Sequence, residues 1–241
     1  MEPDEYARMD AVEARMWWYR ALHARLLDAL EERDGATPGP ILDAGCGTGG
    51  FLAGLARARP SHAIFGLEWN ARAAATAAAK SGRPIARGSV NQLPFVANAF
   101  GTVIAADVLC HAAVEPMGAL AEIKRVLRPK GRLIVNMPAF RALMSAHDTQ
   151  VHNVRRMSAG ETRAMLEAAG FRVLRVRYWN GLLLPLMIVQ RKILARSSDR
   201  SDVAAFPPWL DRMLHGMTEL ERRLPLFLPA GGSVLAIAER P

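Results

Sequence analysis

Gly45, Gly47 and Gly49 carry the clearest chemical signal in the chain. They lie in Ile41-Leu42-Asp43-Ala44-Gly45-Cys46-Gly47-Thr48-Gly49-Gly50, between a short apolar run and a stretch rich in Leu and Ala. Without a Cβ, such residues permit a tight turn and let a ligand approach the backbone. A helix opening there offers unpaired N–H groups and partial positive charge, which suit a carboxylate or phosphate. Gly45, Gly47 and Gly50 also fit G-x-G-x-x-G, a dinucleotide pattern that is weak alone. A ligand-free strand-to-helix turn would use the same glycines. Glu68, in Gly66-Leu67-Glu68-Trp69-Asn70, falls 19 residues past Gly49. A carboxylate at the end of the next strand can accept both hydroxyls of a ribose. A glutamate opening a helix, where the dipole favours it, is the plainer alternative.

A second cluster is Ser145-Ala146-His147-Asp148-Thr149-Gln150-Val151-His152-Asn153-Val154-Arg155-Arg156. His147 or His152 could serve as general base, with Asp148 orienting one of them. Arg155 or Arg156 could hold an anionic acceptor. A solvated connecting loop would account for the same residues. His111 follows an apolar run and either touches an acceptor or caps its loop.

These residues need elements to hold them. Glu5 to Arg33, rich in Ala, Leu, Arg and Glu, reads as one helix broken by Gly35–Pro40. Strands are expected at Pro40–Ala44, Ala63–Leu67, Pro84–Arg87, Thr102–Ala106, Arg132–Asn136, Phe171–Tyr178 and Ser233–Ala238. Helices are expected at Gly50–Arg57, Ala71–Ser81, Met117–Leu127 and Ser158–Ala169. Asn70 and Ser158 read as helix caps, with Glu161 completing a capping box; Gly82 and Gly170 read as stops. Regular alternation implies an α/β fold, a mostly parallel seven-stranded sheet with helices on both faces. Ligands then bind at the carboxyl ends of the strands, where both clusters fall.

Composition narrows the classes. The chain has 241 residues, 51% hydrophobic, and a net charge of +8. The basic residues are scattered, with no block of five, which reads as a solvated surface more than a nucleic-acid face. An anionic lipid or substrate stays open. Two cysteines, Cys46 and Cys110, give no disulfide framework or metal spacing and suit a reducing cytosol. No apolar run approaches the roughly 20 residues a spanning helix needs. The start, Met1-Glu2-Pro3-Asp4-Glu5, has no secretory pattern.

Asp43-Ala44-Gly45-Cys46-Gly47-Thr48-Gly49 resembles the first motif of class I S-adenosylmethionine-dependent methyltransferases, D/E-x-G-x-G-x-G. Three later segments agree with that family. Gly88-Ser89-Val90-Asn91-Gln92-Leu93-Pro94-Phe95 resembles G-D-x-x-x-L-P-F. Phe100-Gly101-Thr102-Val103-Ile104-Ala105-Ala106-Asp107-Val108-Leu109-Cys110-His111 resembles its fourth-strand segment. Glu122-Ile123-Lys124-Arg125-Val126-Leu127-Arg128-Pro129-Lys130-Gly131 resembles E-x-x-R-V-L-K-P-G-G. The resemblance implies a Rossmann-like class I methyltransferase fold over a core at residues 40–178 and 231–241. It implies S-adenosylmethionine as cofactor. The Gly45–Gly49 backbone, Cys46 and Gly47 included, would pack against its methionine part. Asp43 would orient the loop or the amino group, and Glu68, with Trp69 beside it, would bind the ribose. Ser89, in place of the usual aspartate, and Val90 would face adenine. Asp107 and Val108 would lie near the methionine end. Trp17-Trp18-Tyr19-Arg20 and the His147-Asp148 pair resemble a bacterial subset of the family. There Tyr19 could cover the cofactor and Arg20 meet its carboxylate, unless the aromatics merely dock the first helix.

Methyl transfer from a sulfonium is an in-line displacement that mainly requires a nucleophile held about 3 Å from the methyl carbon. A base is needed only if the nucleophile must lose a proton. Residues 1–39 read as a helical cap, and residues 179–230 as a helical insertion before the last strand. Within it Leu210, Met213, Leu214, Met217, Leu220 and Leu224 recur at helical spacing. The stripe reads first as core-facing, otherwise as cover for an apolar acceptor. Leu182–Val189, followed by Arg191-Lys192, could lie in a membrane interface. Together these point to a small-molecule or lipid-linked acceptor, O- or C-methylation, and a cytoplasmic protein that could contact the inner membrane face. Rivals are a nicotinamide oxidoreductase, an RNA or protein methyltransferase, and a cofactor-binding protein without turnover. No tyrosine has a lysine four residues on, which removes the short-chain dehydrogenase form. The N/D-P-P-Y/F of amino-methylating nucleic-acid enzymes is absent after strand four.

Overall fold

Every expected strand is present, and the apolar runs of the central ones explain their burial. The computed structural model describes residues 3–31, 38–189, 206–224 and 228–241. β1 (Ile41–Ala44), β2 (Ile64–Glu68), β3 (Ile85–Arg87), β4 (Phe100–Ala106), β5 (Leu127–Pro138), β6 (Arg172–Trp179) and β7 (Ser233–Glu239) form one sheet in the order β3-β2-β1-β4-β5-β7-β6. The first five pair in parallel, and β7 runs antiparallel between β5 and β6. Side chains alternate between faces along each strand. Ile41, Ile104, Ile134 and Ile237 pack with Leu22, Leu26, Leu52 and Leu55 on one face. Leu42, Val103 and Leu133 pack with Leu120, Ile123 and Leu166 on the other. The strand order reverses at β1 and β4, which opens a crevice at their carboxyl ends.

The helices follow local signals. α3 (Gly50–Ala58), α4 (Ala71–Ser81), α5 (Pro116–Val126) and α7 (Ala159–Ala168) connect the strands. Asn70 caps α4 by accepting from the Arg72 and Ala73 N–H groups, and Gly82 ends it at φ 64°. Ser158 and Glu161 form the expected capping box on α7.

Three departures have long-range causes. The expected first helix is divided into α1 (Pro3–Val12) and α2 (Trp17–Glu31). Asp211 accepts a hydrogen bond from the Trp17 backbone N–H at 2.7 Å, so the start of α2 is held from 194 residues away. β5 begins at Leu127 rather than Arg132, with a register irregularity opposite Phe100 and Thr102. The loop after β5 carries a short helix, α6 (Ala146–Gln150).

The insertion contains α8 (Leu184–Val189) and α9 (Pro208–Arg223). The stripe read as core-facing divides. Leu214 is buried, with Leu210 and Met217 packed beside Trp17 and Leu183. Met213, Leu220 and Leu224 are exposed. The inward face is shared with polar Thr218 and Glu221. Glu221 pairs with buried Arg25 of α2 and accepts from the Asn180 and Gly181 N–H groups.

Candidate active site

The carboxyl ends of β1, β2 and β4 open into a cavity of about 570 Å³. The glycine loop forms one wall. Gly47 adopts φ 55°, and its N–H donates to Glu68 Oε2 at 3.0 Å. The buried Glu68 carboxylate also accepts from the Tyr6 hydroxyl at 3.0 Å and the Asn70 N–H at 2.8 Å, both at Oε1. The sequence reading missed Tyr6. It belongs to α1, which crosses the glycine loop. A Cβ on Gly47 would come within 2.8 Å of Met9 Cε. Glu13 accepts from Thr48 Oγ1 at 2.9 Å and pairs with Lys80, which also pairs with Asp10. Tyr6, Met9 and Glu13 share one helical face by spacing, the only sequence sign of this role.

Electrostatics at this wall favour a cation. The Asp43 carboxyl is buried and has no hydrogen bond among the described residues. Burial, then the nearby Glu68 and Glu13 charges, push it up to about 7. Burial and the Asp43 and Glu68 charges likewise push up the Cys46 thiol. A buried carboxylate facing a cavity without a donor fits the ammonium of a methionine moiety. The remaining fit concerns adenosine. Glu68 stands at the β2 end where a ribose would lie. Ser89 and Val90 are also on the cavity wall, as is exposed Trp69. Ser89 Oγ accepts from the Asn91 N–H at 3.2 Å. The Asn91 side chain ties this segment to Ala113 O and the Glu115 N–H, each at 2.9 Å.

Asp107 follows β4 in the left-handed region at φ 53° and lies on the wall with Val108. Asn136 Nδ2 donates to both its oxygens at 3.0 Å, and Trp179 Nε1 donates to Asn136 Oδ1 at 2.8 Å. Burial pushes the Asp107 carboxyl up to about 6, although Asn136 and Arg156 pull the other way.

Another part of the wall is aromatic. Tyr19, Trp17 and Trp18 of α2 reach the cavity, and Trp18 stacks on Trp179 at 6.1 Å. His111 and His152 are also on the wall, with the Ala112 N–H donating to His152 O at 2.9 Å. Burial pushes the His111 imidazole down to about 4, so it is neutral at pH 7. Asp148 is bound into a buried pair. Arg156 donates to its two oxygens at 3.1 and 2.9 Å, and Ser145 N–H donates at 2.8 Å. Arg155 donates to His111 O at 2.6 Å. Arg155 and Arg156, expected to face an anionic acceptor, thus hold the loop together. The His147 side chain lies outside the described residues.

Two residues expected at the cofactor lie off the cavity wall. Arg20 is exposed, off the cavity wall, and 3.7 Å from Asp211. One position past Tyr19, it is turned about 100° around α2 toward α9. Gly49, at φ 86°, also lies off the wall. A Cβ there would sit 2.7 Å from Ala77 Cα, so this glycine lets α3 approach α4.

Comparison with known proteins agrees with this geometry. Residues 42–135 match the methyltransferase domain family. An uncharacterized 37.1 kDa protein in a Streptomyces fradiae transposon is 33% identical over 146 residues, 58% of this chain and 41% of that protein. The O-methyltransferase cnsE of Penicillium expansum is 30% identical over 148 residues, 56% of this chain and 53% of that protein. The chain therefore spans about half, or less, of these curated relatives. Geranyl diphosphate C-methyltransferase from Streptomyces coelicolor shares the fold, with a TM-score of 0.61 at 16% identity over 92% of this chain and 78% of that one. With its motifs, sheet order and matched segment, the chain carries a methyltransferase domain at residues 42–135, set in a class I S-adenosylmethionine-dependent methyltransferase fold.

Proposed function

We propose that the chain transfers a methyl group from S-adenosylmethionine to an uncharged, hydrophobic small-molecule or lipid-linked acceptor, by O- or C-methylation. One observation carries the reading: the cavity wall combines carboxylates at the glycine loop with aromatic side chains from α2. Asp43 holds the ammonium, Glu68 the ribose hydroxyls, and Ser89 with Val90 the adenine. When bound, the cofactor supplies an electrophilic methyl on a sulfonium.

The acceptor chemistry follows from charge. Arg25 pairs with Glu221, Arg156 with Asp148, and Arg155 is bonded to a backbone carbonyl. An anionic acceptor would have to break one of these bonds, whereas an apolar one fits the Trp17, Trp18 and Tyr19 end directly. Where the nucleophile is a hydroxyl, His111, His152 or Asp107 takes its proton. Residues 40–178 with the last strand form the cofactor-binding core, and Asn180, Met187 and Phe206 from the stretch before that strand face the acceptor. The O-methyltransferase relative and the geranyl diphosphate C-methyltransferase support methyl transfer to oxygen or carbon of a small molecule.

The test is methyl transfer from tritiated S-adenosylmethionine to a panel of apolar phenols, prenyl compounds and lipid-linked alcohols, counted in organic extract. Label should enter at least one neutral acceptor and fall on the order of 100-fold with Glu68→Ala, which removes a charged partner worth about 1.5–3 kcal/mol. Label confined to anionic, water-soluble acceptors would contradict the assignment.

A further inference from the structure

Part of the apolar surface of α9 turns away from the core, which is unusual for a helix of a water-soluble protein. Such a helix turns its apolar stripe to the core and its polar residues to water. Here Thr218 and Glu221 point inward with Leu214. Trp209 is 63% exposed, Met213 46%, Leu220 53% and Leu224 43%. At about 100° per residue these four fall within an arc of about 60°. Leu186, Ile188 and Val189 of α8 are exposed as well, and no residue of that helix is buried.

We propose that this face docks on an anionic lipid surface. Arg212 and Arg223 border the apolar arc on one side. Arg223 pairs with Glu219, and Arg212 has no ion-pair partner among the described residues. Together with a net charge of +8, this is the complement of a negative bilayer surface. A tryptophan and a leucine beside basic residues is also the pattern of a helix that lies in the interface plane. Among the described residues no helix is long and apolar enough to cross a membrane, so contact would be from one side. Met187 of α8 and Phe206, just before α9, belong to the cavity wall, which joins this face to the acceptor end. The value of that junction rests on the proposed acceptor class; the docking itself does not.

The test is sedimentation of the full chain with phosphatidylcholine vesicles and with vesicles of phosphatidylcholine and phosphatidylglycerol in equal parts. Neither cofactor nor acceptor is present, so the outcome is independent of methyl transfer. The protein should pellet with the anionic vesicles alone, and Trp209→Ser with Leu220→Ser should weaken binding about tenfold or more. Both side chains are exposed, so circular dichroism and S-adenosylhomocysteine binding should stay unchanged in that variant. No binding to anionic vesicles at low salt overturns the proposal. So does undiminished binding by the double variant, or a dimer in solution that this variant makes monomeric.

Discussion

The Tyr6 hydroxyl donates to Glu68 Oε1 at 3.0 Å, joining α1 to the carboxylate at the end of β2. Glu68 thereby has three donors from three segments, Tyr6, Gly47 and Asn70. A ribose reaching Glu68 must displace the Tyr6 hydroxyl, because the two backbone N–H groups are fixed by the fold. Burial and the adjacent Glu68 charge push the Tyr6 phenol upward, so it stays protonated and donating. Tyr6→Phe should therefore tighten S-adenosylhomocysteine binding by about tenfold or more, the scale of one hydrogen bond to a charged group. Weaker binding in titration calorimetry would mean that Tyr6 holds the ligand rather than competing with it.

Asp43 gives the site a pH dependence whose sign can be worked out. Its carboxyl titrates at about 7 in the folded chain, against an ordinary 3.8. The folded state thus keeps a proton that the unfolded chain loses first. This group's contribution to stability is complete below the ordinary value and is lost as pH rises through about 7. A cationic ligand reverses the preference, since it needs the ionised form. S-adenosylhomocysteine affinity should rise about tenfold between pH 6 and pH 8. Asp43→Asn should flatten that profile; an unchanged slope in the variant would assign the titration elsewhere.

The buried Asp148–Arg156 pair stabilises the loop after β5. Removing one member leaves the other charge buried and uncompensated, at a cost of about 3–5 kcal/mol. Arg156→Met should lower stability by that amount in urea unfolding. A loss under about 1 kcal/mol would mean that the site relaxes and hydrates.

Gly49 is fixed by packing and backbone geometry together. Alanine there would sit 2.7 Å from Ala77 Cα at φ 86°. Gly49→Ala should destabilise by about 1–3 kcal/mol through overpacking. Because Gly49 lies off the cavity wall, ligand affinity should change little in whatever fraction stays folded.

Much of this was legible in the sequence because its causes are local. Asn70, Gly82 and the Ser158–Glu161 box act within a turn of the chain, and the continuous apolar runs of β1, β4 and β5 mark buried parallel strands. The glycine loop and Glu68 were readable for the same reason: a strand, a turn and a carboxylate at fixed spacing. What was not legible depends on distant partners. The break before Trp17 is held by Asp211, and Tyr6 meets Glu68 across 62 residues. Arg20 and Gly49 were assigned to the ligand by proximity in sequence, yet one is turned toward α9 and the other packs two helices. The α9 stripe was legible only in part: Leu210, Leu214 and Met217 face the core as read, whereas Met213, Leu220 and Leu224 face water, and periodicity alone does not divide them. The Arg25–Glu221 pair, 196 residues apart in sequence, helps set that division.

Titration calorimetry with S-adenosylhomocysteine, comparing the unaltered chain with Glu68→Ala, is the most direct measurement. Saturable heat at one site, weakened about tenfold or more by the substitution, is the expected result. No heat from the unaltered chain, or equal affinity in both, would contradict a cofactor site built on Glu68.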